Sequence, residues 1–226
     1  ITNNIESSMS TQKSISRIRH VRPMLRFTLR MMSEMARGLY RFRHLPQTVT
    51  VYGSARLKPD NRYYQEALTL GQKLAEVDIE VITGGGPGIM EAANKGAHSI
   101  SKRSNGCNIV LPFEQKANPY ITTLFQTEYF FVRKFLLRHS SKALIAFPGG
   151  FGTMDELFES LTLIRTNSTP KIPTILVGTQ YWQGLVDYLR NVQLAHGTIS
   201  EEDLSQLYLT DDLDEVVQII RASLDE

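Results

Sequence analysis

The amino-acid sequence predicts an α/β protein: a doubly wound parallel sheet with helices on both faces, preceded by an N-terminal helical arm. Two observations predict it. Short β-branched or apolar segments alternate with segments of helical period from residue 48 onwards, and glycine-rich turns follow two of the short segments. Strands that alternate with helices are joined by right-handed crossovers, which make the sheet parallel and cover both of its faces. We therefore divide the chain into an arm, residues 1–47, and a domain, residues 48–226.

The composition is that of an ordinary soluble domain. Hydrophobic residues make up 42% and charged residues 21% of the 226 residues. No apolar run approaches the roughly 20 residues that a membrane helix needs, so no membrane contact is expected. The polar start has no apolar signal core, and the single cysteine, Cys107, has no internal disulfide partner. We therefore expect a cytoplasmic protein.

The arm carries most of the positive charge. Residues 1–47 hold nine Lys and Arg and two Asp and Glu, against sixteen and twenty-one in the remainder. Residues 1–12 are polar and predict disorder, whereas the apolar pattern from about Ile15 to Phe42 predicts a helix that ends before Pro46. Such a segment suits nucleic acid, an acidic partner or an anionic membrane. We favour a solvated arm, or one packed on a neighbouring subunit, and disfavour nucleic acid.

The elements of the domain follow in order. Residues 48–52 are Val- and Thr-rich and predict a strand before Gly53. Ala67, Leu70 and Leu74 share one face of a helix over 63–77. The apolar segment 79–83 predicts a second strand, Pro87 begins a helix to about residue 98, and 107–111 predicts a third strand.

The second half continues the alternation. Residues 112–121 are irregular and are expected to border the ligand pocket, since loops at this sheet edge carry function. The wholly apolar segment 143–147 predicts a buried strand. The other predicted strands are 174–177 and 207–209, and the predicted helices are 129–140, 153 to about 165, 182–194 and 212–222.

Two glycine-rich turns, residues 83–88 and 147–153, each connect a strand to a helix. Glycine lets the backbone approach a ligand closely, and the free N–H groups and dipole of the following helix favour an anion. Neither turn matches the dinucleotide fingerprint or the Walker pattern, which disfavours hydride-transfer enzymes and NTPases. The turns therefore predict a phosphate site. Thr153 is expected either to cap the second helix or to donate its hydroxyl to a phosphate oxygen.

Charged residues surround the second turn. Glu156 is the candidate for chemistry, because the turn delivers it next to the bound anion. Asp155 is explained as an acid that stabilises a helix start, and so is Glu91 after the first turn. Arg133 and Lys134, near the start of the preceding helix, are either a solvated pair or part of the site.

The two turns resemble the LOG family of cytokinin riboside 5′-monophosphate phosphoribohydrolases, whose members were often mislabelled as lysine decarboxylases. Residues 148–156 match the family signature PGGxGTxxE at every fixed position, and segments 51–56, 84–92 and 131–134 are similar to its other motifs. The resemblance covers roughly residues 48–222, and the basic arm resembles the longer bacterial branch. Many short members have Glu-Glu where this chain has Asp155-Glu156, and the second acid is the catalytic one.

The resemblance implies a Rossmann-like nucleotide-binding catalytic domain and a homodimer or larger homo-oligomer. It implies hydrolysis of a nucleoside 5′-monophosphate, AMP or an N6-modified adenine nucleotide, to free base and ribose 5-phosphate. No cofactor is expected, and no metal, because no His/Cys cluster has zinc-like spacing. The implied catalytic residues are Arg133 and Glu156, and the implied substrate- and phosphate-binding residues are Gly85, Gly86, Lys134, Gly149, Gly150, Gly152 and Thr153.

Cleavage of a ribose–base bond builds positive charge on the sugar. We expect the Glu156 carboxylate to stabilise that charge or to hold the attacking water. Arg133 stays protonated, so we expect it to orient the substrate and offset charge. Three alternatives stay open: a non-catalytic nucleotide or cofactor carrier or sensor on the same fold, a pyridoxal phosphate decarboxylase, and a nucleic-acid- or partner-binding protein that acts through the arm.

Overall fold

A computed structural model describes residues 23–45, 47–110 and 116–224. The chain divides into two compact units, Ile1–Tyr40 and Arg41–Glu226. Helix α1 covers residues 23–42, which confirms that part of the predicted arm helix. The predicted disordered start, the first part of the arm helix and Pro46 lie outside the described residues, as do Pro112, Phe113 and Glu114.

Seven strands form one sheet in the described part of the chain, and every neighbouring pair is parallel. Their order across the sheet is β4-β3-β2-β1-β5-β6-β7. The prediction of a doubly wound parallel sheet is therefore confirmed. The strands are β1 Thr48–Tyr52, β2 Glu80–Thr83, β3 Ser104–Ile109, β4 Thr123–Thr127, β5 Ala143–Ala146, β6 Thr174–Val177 and β7 Leu207–Thr210.

Helices connect the strands and cover both faces of the sheet. Asn61 begins α2 by accepting a hydrogen bond from the Tyr63 backbone N–H, which is the usual N-cap arrangement. The helices are α2 Arg62–Glu76, α3 Ile89–Ile100, α4 Phe130–His139, α5 Phe151–Arg165, α6 Thr179–Tyr188, α7 Glu201–Leu204 and α8 Leu213–Leu224, and a π-helical turn, Leu189–Leu194, continues α6.

Neighbouring residues of β5 pack into different parts of the core. Ile145 belongs to the larger cluster, which β1, α2, α3 and α8 also build. Ala146 belongs to a smaller cluster with Leu157 of α5 and Trp182 of α6. Because successive strand residues point to opposite faces, the two clusters lie on opposite sides of the sheet. Burial on both faces explains why β5 is wholly apolar.

Several elements differ from the sequence prediction. Strand β4 and helix α7 were not predicted, β3 begins at Ser104 instead of Cys107, and α5 begins at Phe151 instead of Thr153. The segment 182–194, predicted as one helix, is helical throughout, but α6 begins earlier, at Thr179, and the second half of the segment is the π-helical turn. Strand β4 lies at the sheet edge and is mostly half-buried, so it lacks the apolar run of a central strand.

The strand order reverses between β1 and β5, which are parallel neighbours. Open α/β sheets bind ligands in the crevice at such a switch point, outside the carboxyl ends of the strands. Here the two loops that leave the switch point are joined directly. The backbone N–H of Ser54, after β1, donates to the carbonyl of Pro148, after β5, over 3.0 Å.

Candidate active site

A cavity of about 840 Å³ lies at the switch point. The turn after β1, the glycine-rich loop after β5 and the first turns of α4 and α5 form its walls. Among the residues that the sequence singled out, those lining the cavity are Arg133, Gly149, Gly150, Gly152, Thr153 and Glu156. Gly85, Gly86 and Lys134 do not belong to its lining.

The loop after β5 leads directly into α5. Gly150 is the N-cap residue, and no side chain caps its helix. The backbone N–H groups at the helix start are therefore without a side-chain acceptor, an arrangement that favours an anion. Capping by Thr153, one of its two expected roles, is wrong. Its side chain turns back over Gly149 instead, where an added Cβ would lie 2.1 Å from the Thr153 Oγ1.

Arg133 and Glu156 face each other in the cavity wall. The distance between the Arg133 Nη2 and the Glu156 Oε1 is 3.5 Å, and the two side chains are 12% and 11% exposed. The Arg133 Nε also donates to the carbonyl of Cys107 over 3.1 Å. The guanidinium is therefore fixed from two sides, by a β3 carbonyl and by an α5 carboxylate.

The first glycine-rich turn makes room for that guanidinium. A Cβ at Gly84 would lie 2.0 Å from the Arg133 Nη2, so a side chain there would displace it. The next two carbonyls are used by Asn118, whose backbone N–H donates to Gly85 over 2.9 Å and whose amide donates to Gly86 over 3.1 Å. Asn118 thus supports the first turn from the segment that was expected to border the pocket.

Asn94 of α3 is buried and holds the same turn from below. Its amide oxygen accepts from Thr83 Oγ1 over 2.6 Å and from Asn118 Nδ2 over 3.0 Å. Its amide nitrogen donates to Ser104 Oγ over 2.8 Å and to the carbonyl of Asn105 over 3.0 Å. These hydrogen bonds satisfy polar groups that would be costly to bury without partners. The network ties β2, β3 and the first glycine turn together.

Burial raises the pKa of Glu156 to about 7, although the opposite charge of Arg133 acts to lower it. The negative charges of Asp155 and Glu159 add to the rise, and Lys134 opposes it. A carboxyl group with a pKa near the working pH can both accept and return a proton, which is the property of a general acid–base group.

Tyr52, at the end of β1, lies close to this pair and is itself buried. Burial raises the pKa of its hydroxyl, and the charge of Glu156 raises it further. The hydroxyl therefore stays protonated beside the carboxylate.

Lys134 points away from the lining and into an acidic cluster. Its Nζ lies 3.1 Å from Asp155 Oδ2 and 2.9 Å from Glu159 Oε2. The first-turn acid Glu91 accepts a hydrogen bond of 3.0 Å from the Tyr64 hydroxyl. Both interactions stabilise the packing of helices around the cavity. Arg133 and Glu156 are the oppositely charged pair in the cavity wall.

Among the cavity-lining residues that sequence reasoning did not name as site residues are Arg56, Asn108, Phe130 and Tyr181. Arg56 follows the carboxyl end of the predicted first strand, so its position was a usable signal. Asn108 lies near the carboxyl end of β3 as observed, Ser104–Ile109, but near the start of the predicted strand, so its position gave no such signal. Tyr181 carried no such signal. It comes from α6, and its hydroxyl donates to the Gly149 carbonyl over 2.6 Å.

The fold and the site together define a Rossmann-like α/β protein with a ligand cavity between a glycine-rich loop and a buried Arg–Glu pair. A family model described as "Possible lysine decarboxylase" matches residues 90–220. The match covers more than half of the chain. The protein therefore belongs to this family, the LOG family that its two glycine-rich motifs resemble.

Curated relatives agree with this assignment. A cytokinin riboside 5′-monophosphate phosphoribohydrolase of Rhodococcoides fascians is 26% identical over 186 residues, which are 80% of this chain and 92% of the relative. A probable enzyme of the same name from Oryza sativa subsp. japonica is 30% identical over 133 residues, 56% of this chain and 52% of its own. An uncharacterized protein of Archaeoglobus fulgidus is 30% identical over 127 residues, 55% of this chain and 81% of that protein.

Solved structures share the fold. The molybdenum cofactor binding protein of Rippkaea orientalis aligns with a TM-score of 0.58 at 23% identity, over 78% of this chain and 96% of that one. The molybdenum cofactor carrier protein of Chlamydomonas reinhardtii aligns with a TM-score of 0.59 at 20% identity, over 80% and 99%. At such identities the likeness concerns the fold.

The described part of the chain contains neither a metal-binding group of side chains nor a membrane-spanning helix. Over residues 23–45, 47–110 and 116–224, no three His, Cys, Asp or Glu side chains are grouped to hold a metal ion. Within the same ranges, no helix has the length and apolar character needed to span a bilayer.

Proposed function

We propose that this protein hydrolyses the N-glycosidic bond of a nucleoside 5′-monophosphate, AMP or an N6-modified adenine nucleotide, to free base and ribose 5-phosphate. The observation that carries the proposal is the buried Arg133–Glu156 pair in the wall of a cavity that the glycine-rich loop also lines. The curated relatives that bear the name phosphoribohydrolase support the reaction class.

The loop after β5 supplies the phosphate subsite of this proposal. The backbone N–H groups that follow Gly150 have no side-chain cap, so they are available to phosphate oxygens. Gly149, Gly152 and Thr153 line the same part of the cavity. Binding energy from the phosphate, which does not react, then holds the sugar in position for the chemical step.

Glu156 carries out the chemistry in this proposal. Its carboxylate stabilises the positive charge that builds on the sugar as the base leaves, or it takes a proton from the attacking water. Arg133 holds that carboxylate and offsets negative charge on the nucleotide. Since a guanidinium remains protonated, Arg133 is not assigned the role of acid.

Gly85, Gly86 and Lys134 act indirectly in this proposal. The carbonyls of both glycines are bonded to Asn118, and Lys134 is paired with Asp155 and Glu159. The two glycines thus help to hold the first glycine turn in place, and Lys134 holds the start of α5. Residues on both elements form the cavity.

Released base from a panel of nucleoside monophosphates, measured by chromatography, tests the proposal. We expect adenine, or a substituted adenine, to appear with ribose 5-phosphate in equal amounts. Absence of free base from every nucleotide would overturn it.

The second candidate is a non-catalytic carrier or sensor of a nucleotide or phosphate-bearing cofactor. The shared fold with two molybdenum cofactor proteins favours it. On this alternative Glu156 would have only a structural role, and its raised pKa would serve no catalytic step. The same panel separates the two functions, because a carrier binds the nucleotide and leaves the glycosidic bond intact.

The proposal also includes a homodimer or larger homo-oligomer and a cytoplasmic location. Exposed rings on α4 and α5, those of Phe130, Phe131 and Phe158, support self-association. Cys107 is the single cysteine of the sequence and has no internal disulfide partner, which supports a reducing compartment. Light scattering from the purified full chain tests the assembly, and a monomer at micromolar concentration would contradict it.

A further inference from the structure

Arg56 lies in the turn after β1 and lines the cavity together with the glycine-rich loop after β5. The turn is held in place by three hydrogen bonds. The Arg56 backbone N–H donates to Ser54 Oγ over 3.1 Å, and the Ser54 N–H donates to the Pro148 carbonyl over 3.0 Å. The Ser54 carbonyl accepts from the Ile89 N–H over 3.0 Å. The base of the Arg56 side chain is therefore fixed relative to both glycine-rich turns.

Two other cations near the loop, Arg133 and Lys134, already have carboxylate partners. Arg133 is bound to Glu156 and to the carbonyl of Cys107, and Lys134 is bound to Asp155 and Glu159. Among the described residues, the Arg56 side chain makes no ion pair and is exposed to solvent at the cavity. Arg56 is thus a guanidinium that a ligand can engage without breaking an existing pair.

A phosphate monoester in this cavity needs such a charge. It carries about −1.5 to −2 at pH 7, and Glu156 adds a further negative charge whenever it ionises. The helix start offers only about half a positive charge. A guanidinium adds a full charge and two parallel N–H donors that match phosphate oxygens.

We infer that Arg56 binds the 5′-phosphate of the substrate opposite the loop after β5, and that it sets the preference for nucleotides over unphosphorylated nucleosides. The inference rests on the proposed function and assigns to it a residue outside the glycine-rich motif. The contact forms on the ground-state phosphate, which does not change during the reaction. Its loss should therefore weaken binding and leave the chemical step intact.

The test compares base release from AMP and from adenosine by the full chain and by Arg56→Gln and Arg56→Lys. A charge-assisted hydrogen bond contributes about 1.5–3 kcal/mol, so Arg56→Gln should raise KM for AMP by about tenfold to a hundredfold. We expect kcat for AMP and kcat/KM for adenosine to change less than about threefold. The KM of Arg56→Lys for AMP should lie between those of the wild type and Arg56→Gln, because lysine keeps the charge and lacks the two parallel N–H donors.

Arg103→Gln is the matched control. Arg103 precedes β3 at the opposite end of the strands and pairs with Asp78 over 3.1 Å. The control should leave KM unchanged. An unchanged KM for AMP in Arg56→Gln would overturn the inference, and so would an equal loss on AMP and adenosine, which indicates a structural role.

Binding of ribose 5-phosphate and of ribose, measured by calorimetry, supplies a readout that does not need catalysis. Arg56→Gln should weaken the first by the same tenfold to hundredfold, and leave the second unchanged. If the wild-type chain released no base, the proposed function would fail, whereas the calorimetric comparison would still decide the role of Arg56.

Discussion

The Arg133 Nη2 lies 3.5 Å from the Glu156 Oε1, and both side chains are almost fully buried. The arginine comes from α4 and the glutamate from α5, so β5 and the glycine-rich loop stand between them in the chain. Burial nevertheless outweighs their attraction, since the pKa of Glu156 is raised to about 7. Ionising this buried carboxyl group is therefore costly.

Replacing Glu156 by glutamine should separate binding from chemistry. Glu156→Gln keeps the shape of the side chain and removes its charge, so AMP should still bind while kcat falls by about 10²–10⁴-fold. Calorimetry measures the binding and chromatography the released base. Asp155→Asn is the control at pH 8, above the midpoint of the Glu156 titration, and should keep turnover there because the Asp155 side chain is 61% exposed and pairs with Lys134. Wild-type turnover by Glu156→Gln would remove the residue from its proposed role.

The rate should depend on pH through the same carboxyl group. If the ionised form is active, kcat/KM should rise about tenfold per unit of pH below about 7 and level off above it. Because the charge of Asp155 raises the pKa of Glu156, Asp155→Asn should move the midpoint to lower pH. Initial rates between pH 5 and 9 provide the measurement. A midpoint near the ordinary value of 4.5 would contradict the buried carboxyl.

The same carboxyl should cost stability at high pH. Its pKa is higher in the folded protein than in the unfolded chain, so the contribution of this group to stability is greatest below pH 4.5 and is lost as pH rises to about 7. Glu156→Gln removes this loss. It should match the wild type near pH 4.5 and exceed it at pH 8 by at most roughly 3 kcal/mol. Urea unfolding at both pH values provides the test, and a stability difference that does not change with pH would refute it.

Adding one methyl group at Gly84 should damage the site without unfolding the protein. The Cβ would meet the Arg133 Nη2 at 2.0 Å, and a flexible guanidinium can move away more easily than backbone can. We expect Gly84→Ala to lower kcat/KM about a hundredfold and to shift the melting temperature only slightly. Wild-type activity in this variant would show that the position of Arg133 is not critical.

Gly184→Ala is the matched control for that variant. Gly184 lies inside α6, and an added Cβ would meet nothing within 4 Å. Alanine there should leave activity unchanged and stabilise the protein by roughly 0.5–1 kcal/mol, because it restricts the unfolded chain.

The central strands could be predicted from sequence because their residues report burial directly. The segment Ala-Leu-Ile-Ala of β5 is apolar at every position, and its prediction is confirmed. Strand β3 contains Ser104, Asn105 and Asn108, which are buried yet polar. Their burial is possible because Asn94 and other partners satisfy them, and such partners are defined only by the tertiary fold. Helix α7 did carry a local signal, the capping box between Ser200 and Asp203.

Some features of the site could likewise be predicted from local sequence, and others depend on the tertiary fold. The motif after β5 identified Glu156 and the glycines of the cavity, because a strand–turn–helix connection fixes where they lie. The contact between Arg133 and Cys107 could not be predicted, since it joins α4 to a neighbouring strand. Lys134 was grouped with Arg133 because the two are adjacent, but neighbours on a helix point in different directions. The catalytic role predicted for Arg133 and the substrate-binding role predicted for Lys134 stay predictions.

The pairing of β1 with β5 also has a consequence for refolding. Val49 and Ala143 are partners in that pair, although most of the first half of the domain separates them in the chain. Contacts between such distant segments form slowly, whereas β5 and β6 are near neighbours in sequence. After dilution from denaturant, we therefore expect the fluorescence of Trp182, which packs against β5 and β6, to recover before enzymatic competence does.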